Sequence, residues 1–128
     1  MALWSQVSTL LASTTDFSRG ELVNDALIKT LVATKNGRTQ IVWVEHREDN
    51  LIFSSVVCKL EQVNLQALFG SKLMGTLTYG FGAVDDYLVL RHVASLKNLD
   101  INELAEPLMA LAYLADTLEE AIVGGDAY

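Results

Sequence analysis

Residues 100–125, DINELAEPLMALAYLADTLEEAIVGG, decide how the rest of the chain must be built. Leu104, Leu108, Leu111, Ala115, Leu118 and Ile122 recur at three- and four-residue steps, which places them on one face of a long amphipathic helix. Asp100 is placed to cap the first turn, with Glu103 at the capping-box position. Gly124 and Gly125 supply the backbone freedom that a left-handed stop requires. Pro107 is discordant: its missing N–H and its ring either kink the helix or mark the start of a second segment after a short first turn. Asp116, Glu119 and Glu120 read as the solvated face. A helix of this kind cannot bury its leucine stripe alone and needs a sheet or a partner to lie on.

Immediately upstream, Thr76 to Leu96 reads as a hairpin. Leu77, Tyr79 and Phe81 alternate with Thr78, Gly80 and Gly82, a two-residue period. The glycine face leaves room for a helix or another backbone to approach. Val84-Asp85-Asp86 turns the chain, and Tyr87 to Leu96 returns with Leu88, Leu90, Ala94 and Leu96 on one face. Before the hairpin, Glu61 to Phe69 (EQVNLQALF) reads as a short helix ended by Gly70, too short to stand without docking.

The N-terminal half supplies three further strands. Ala26 to Lys35 is followed by the hairpin dipeptide Asn36-Gly37, then Thr39 to Glu45 with Ile41, Val42, Trp43 and Val44. A turn at Glu48-Asp49-Asn50 leads into Leu51 to Leu60. There Leu51, Phe53 and Val57 alternate with Ile52, Val56 and Cys58, so both faces carry apolar residues. That fits a central strand covered on both sides, or one with a face held for a partner. Residues 2–13 suit a helix anchored by Trp4, and Thr14 to Gly20 reads as a loop. The order is α-β-β-β-α-β-β-α, an α+β fold with an antiparallel sheet packed against the long C-terminal helix, read as a single domain over residues 1–128.

Bulk composition narrows the function. The 128 residues carry a formal charge of -7, with 51% hydrophobic residues. Mean hydropathy is +0.28 and the isoelectric point is near 4.6. An acidic chain without a basic stripe repels phosphates, which argues against nucleic acid. The apolar excess fits either a core rich in Leu and Ala or surface kept for a partner, a second copy foremost. A single cysteine excludes an intrachain disulfide and fits a reducing compartment. The N-terminal run has no basic region of the kind that opens a secretory signal, and no apolar run reaches the length of a membrane span, so a cytoplasmic protein is expected.

No motif argues for chemistry. His46 and His92 have no neighbours at metal-ligand or catalytic spacing, so no metal and no cofactor is expected. Cys58, among Val56, Val57 and Leu60, reads as inert packing. Asp85-Asp86 reads as a turn former, and the glycines of TYGFGAV lack the lysine and helix of a phosphate loop.

The order of elements, the acidic charge and the apolar excess resemble the class I type III secretion chaperones, the Tir chaperone (CesT-like) superfamily, including the YbjN-like proteins. The resemblance spans approximately Ser5 to Ile122. It is most specific in GTLTYGFGAVDDYLVLRHVASLKNLDINELAEPLMALAYLADTLEEAI, which follows the family's run of helix end, strand, acidic turn, strand, loop and long last helix. It implies a non-enzymatic homodimer that holds a segment of a partner protein against apolar surface. It also implies a dimer interface at the middle helix and the following strand, here Val63, Leu65, Leu68, Phe69, Leu77, Tyr79 and Phe81. The alternative is a sensing or regulatory module with a small ligand between sheet and last helix, where Tyr79, Tyr87 and Tyr113 would supply polar handles. A cysteine-dependent enzyme using Cys58 with a histidine is the remaining class.

Overall fold

The computed structural model describes residues 1–35, 37–76 and 78–124. The elements are α1 (Trp4–Leu11), β1 (Ser18–Asn24), β2 (Leu27–Ala33), β3 (Thr39–Arg47), β4 (Asn50–Lys59), α2 (Leu65–Phe69), α3 (Lys72–Thr76), β5 (Gly80–Val84), β6 (Tyr87–Ser95) and α4 (Ala105–Val123). The six strands form one antiparallel sheet in the order β1-β2-β3-β4-β6-β5. The α+β class and the sheet lying under a long last helix are as the sequence indicates.

Alternation assigns each strand's faces. Ile28 and Val32 on β2, Val42 and Val44 on β3, Leu51 and Phe53 on β4 and Leu90 on β6 are fully buried. They meet Leu104, which precedes α4, and Leu108, Leu111 and Ala115 of α4, together with Val7 and Leu11 of α1, in a single cluster. In β4, the register shifts between Val56 and Cys58, so Val57 and Cys58 are both buried in succession.

Pro107 does not kink α4. The helix starts at Ala105, which makes Pro107 its third residue, one of the positions whose N–H has no intrahelical acceptor. The preceding residues form a separate 3₁₀ turn, Ile101–Glu103, whose Asp100 cap accepts from the Asn102 N–H. Gly124 closes α4 in the left-handed region at φ 78°.

Four local expectations need correction. Residues 18–20 are not loop but the start of β1, an edge strand. Its SRGELVN sequence hides it from an apolar alternation count because it is mostly exposed and is held through its pairing with β2. Gly20 is required there, because a Cβ at this position would lie 1.8 Å from the Leu11 carbonyl oxygen at the end of α1. The middle helix is broken into a 3₁₀ turn at Leu60–Gln62 and the five-residue α2, capped by the Asn64 side chain accepting from the Ala67 N–H at 3.0 Å. The strand expected from Thr76 begins only at Gly80, opposite Arg91, and Lys72–Thr76 is the helix α3 instead.

The fourth correction concerns α4, where Asp116 and Glu119 are fully buried rather than solvated, while Glu120 is exposed. Asp116 Oδ1 accepts from Arg38 Nε at 2.9 Å and Nη2 at 2.7 Å, and Oδ2 accepts from Thr34 Oγ1 at 2.9 Å. These bonds offset the cost of removing a carboxylate from water and pin the β2–β3 hairpin to the last turns of α4. Of that hairpin's expected turn, Asn36 lies outside the described residues, and Gly37 has the expected positive φ of 74°.

Candidate partner-binding surface

An antiparallel sheet with helices on one side has a second face, and the two-residue period fixes what that face presents. Across the ladders, Leu31 pairs with Ile41, Trp43 with Ser54, Ile52 with Val93, and Val56 with Val89. All of these point away from the cluster under α4. Val93 is 53% exposed, Val89 is buried, and Leu31, Ile41, Trp43, Ile52 and Val56 are half-buried. None of them belongs to the core or packs against it. The residues of α1, α2 and α4 that do pack there include Trp4, Leu68 and Ile122, so these three helices share the inward face. The two-sided apolar pattern of β4 therefore resolves into one face covered by α4 and one left open.

The glycine positions on β5 belong to this open face. The space above Gly82 is taken by the Arg91 guanidinium, 3.4 Å from where a Cβ would stand, and not by a helix. Above Gly80 there is nothing within 4 Å. At the β5 edge the outward surface is thus bare backbone at Gly80, with Arg91 lying over Gly82 and Val84 exposed beyond it.

The residues expected at a dimer interface lie around the junction of α2 and β5. Phe69, 52% exposed, meets Phe81 edge-on with ring centroids 6.1 Å apart. Val63, Leu68, Tyr79 and Phe81 lean on the core while remaining partly exposed, and Leu65 is exposed. Leu77 lies outside the described residues. The structure thus brings Phe69 and Phe81 into one contact, flanked by apolar side chains committed in part to the core.

Residues with chemical potential are occupied structurally. His46 stacks on Trp4 at 5.1 Å, and Trp4 Nε1 donates to the Asp25 carbonyl at 2.8 Å, which ties α1 to the sheet. His92 sits between Phe53 and Tyr79, and burial lowers its pKa. Cys58 is buried, and burial together with the Glu119 carboxylate pushes its thiol pKa up, the opposite of what a nucleophile needs. Asp85 takes a positive φ of 52° in the β5–β6 turn, the role expected of it. Among the described residues no group of three or more His, Cys, Asp or Glu is placed to hold a metal, and no helix is long and apolar enough to cross a membrane.

The three tyrosines considered for a ligand site do not converge. Tyr79 packs edge-on against His92 at 5.1 Å, Tyr87 opens β6 beside the turn, and Tyr113 is 41% exposed on α4. Sequence reasoning did find the two-faced strand, but not the buried Asp116–Arg38 pair. Its signal would have been an acid inside the apolar half of the helical wheel.

Comparison with protein-family models and with curated proteins finds no match. Among solved structures, a chain in the structure of the HopA1–SchA chaperone–effector complex is similar to this one. The identity is 15%, the TM-score is 0.40, and the alignment covers 94% of this chain and 86% of that one.

Proposed function

We propose that the protein is a non-enzymatic, chaperone-like binding domain over residues 1–128, cytoplasmic and homodimeric, that holds a segment of a partner protein. The observation carrying this reading is the uncovered apolar outer face of the sheet. A one-sided sheet needs polar residues there, and this one presents Leu31, Ile41, Trp43, Ile52 and Val93. The burial and raised thiol pKa of Cys58 and the ring contacts of both histidines agree with a role without catalysis.

In this reading the self-contact runs through Val63, Leu65, Leu68, Phe69, Leu77, Tyr79 and Phe81, which leaves the sheet face free. The test is solution mass by light scattering with a hydrophobic dye in the same sample. A dimer that binds dye while cooperatively folded is expected. Phe69→Glu should yield a monomer, and Trp43→Glu should keep the mass while losing most of the dye signal. A dye-silent monomer overturns the proposal.

A further inference from the structure

The open face differs from the rest of the molecule in charge as well as polarity. Its outward strand positions carry Arg19, Lys29, Arg47, Lys59 and Arg91, five of the nine basic residues, against Glu21 and Glu45, two of the sixteen acidic ones. The face has a local excess of three positive charges on a chain of net charge -7. Two of these cations are arranged in one row across the sheet. Strand pairing sets Arg91 beside Ser54, Ser54 beside Trp43, and Trp43 beside Lys29, and the row ends on β1 at Glu21, the cross-strand neighbour of Lys29. Lys29 Nζ stands 5.7 Å from the Trp43 ring centroid. The Arg91 guanidinium lies over Gly82, and its Nε is buried with no hydrogen-bond partner. No acid forms an ion pair with either side chain among the described residues.

We propose that this face takes an extended acidic-apolar segment of a partner protein, patterned acid–x–apolar–x–acid, with its apolar side chain on Trp43 and its two carboxylates at Lys29 and Arg91. The inference rests on the partner-holding reading and specifies its ligand. The spacing follows from the sheet. Lys29 and Arg91 are three strand intervals apart, about 14 Å at ~4.8 Å per interval, and an extended chain covers about 13 Å in four residues, which brings side chains i, i+2 and i+4 to one side. The carboxylates belong over the middle of the face, because the turns at the strand ends carry Glu48, Asp49, Asp85 and Asp86 and repel them. A second copy is disfavoured as occupant, since a two-fold contact between identical basic faces sets like charges against each other.

The experiment uses two fluorescein-labelled peptides on the unmodified protein, one containing Val-Glu-Thr-Phe-Thr-Glu-Val and one with both Glu changed to Lys, read by anisotropy. The acidic peptide should bind about tenfold tighter or more, lose affinity as salt is raised, and yield to the basic peptide on the Lys29→Glu, Arg91→Glu double variant. Equal or tighter binding of the basic peptide overturns the inference and leaves the partner-holding reading standing. Silence of both peptides on a dye-binding dimer does the same, whereas silence on a dye-silent monomer removes both. Binding to phosphatidylserine vesicles without binding of the acidic peptide reassigns the face to a membrane. Loss of the dimer on Trp43→Glu reassigns it to self-association.

Discussion

Removing the Asp116 carboxylate tests whether the far end of α4 is held by a buried ion pair. Asp116 is wholly buried, and the Arg38 side chain that donates two hydrogen bonds to it is only 18% exposed. Asp116→Ala deletes three hydrogen bonds and takes from a largely desolvated guanidinium its buried carboxylate, Glu120 Oε2 at 3.7 Å being half in water. Breaking such a pair from one side costs about 3–5 kcal/mol, and the residual exposure of Arg38 places the expectation at the lower end, about 3 kcal/mol. Asp116→Asn keeps the shape and one acceptor oxygen toward Arg38, so it should cost about half as much. Replacing both partners, Asp116→Leu with Arg38→Met, should restore much of the loss, because well-packed apolar groups spare the desolvation. The assay is urea unfolding followed by tryptophan fluorescence, read as a midpoint shift at constant slope. A loss below about 1 kcal/mol for Asp116→Ala would refute the reasoning, since that is the worth of an exposed pair.

Three further outcomes follow from single contacts. Gly20→Ala drives a Cβ into the Leu11 carbonyl oxygen and should cost about 3 kcal/mol, while Gly80→Ala, with nothing within 4 Å, should be neutral or slightly stabilising in the same unfolding assay. Cys58 should resist a thiol-specific disulfide reagent in the native state at pH 8 and react at once in denaturant. Its raised pKa means the folded state holds its proton longer, so its contribution to stability is present below the unfolded pKa and lost as pH rises above it. His92 carries the opposite dependence. Its lowered pKa means the unfolded state binds the proton first, so stability falls as pH drops below about 6.5, and NMR titration should show His92 protonating below the free imidazole value.

The sequence showed what depends on periodicity and missed what depends on pairing partners. The α4 stripe, the faces of β6 and the two-sided β4 were readable because each side chain's burial follows from a period of 3.6 or 2. β1 was invisible because an edge strand with one face under a short helix buries little; only Ser18 in it is buried. The start of the middle helix and the start of β5 were misplaced because short stretches of mixed polarity, such as residues 61–64, carry too few periods to separate turn, helix and strand. Asp116 and Glu119 were assigned to water by residue type, yet type does not say that an arginine from a hairpin about eighty residues away meets Asp116. The candidate surface was half legible: excess apolar residues on β4 were plain, but only the strand order showed that they continue across neighbouring strands.

That continuation is what separates a binding face from a greasy strand. Ile52 and Val56 on β4 alone would be ordinary scattered surface hydrophobics. The order β2-β3-β4-β6 sets Leu31 beside Ile41, Trp43 near Ile52, and Val93 beside Ile52, which converts four separate alternations into one patch. With α1, α2 and α4 committed to the inward face, none of these three helices supplies a third layer. The basic row across the same strands then sets a condition on that layer. In the proposed reading, an apolar cover without acids would desolvate Arg91 with no carboxylate beside it and leave Lys29 only its cross-strand neighbour Glu21, so a cover that brings carboxylates is favoured.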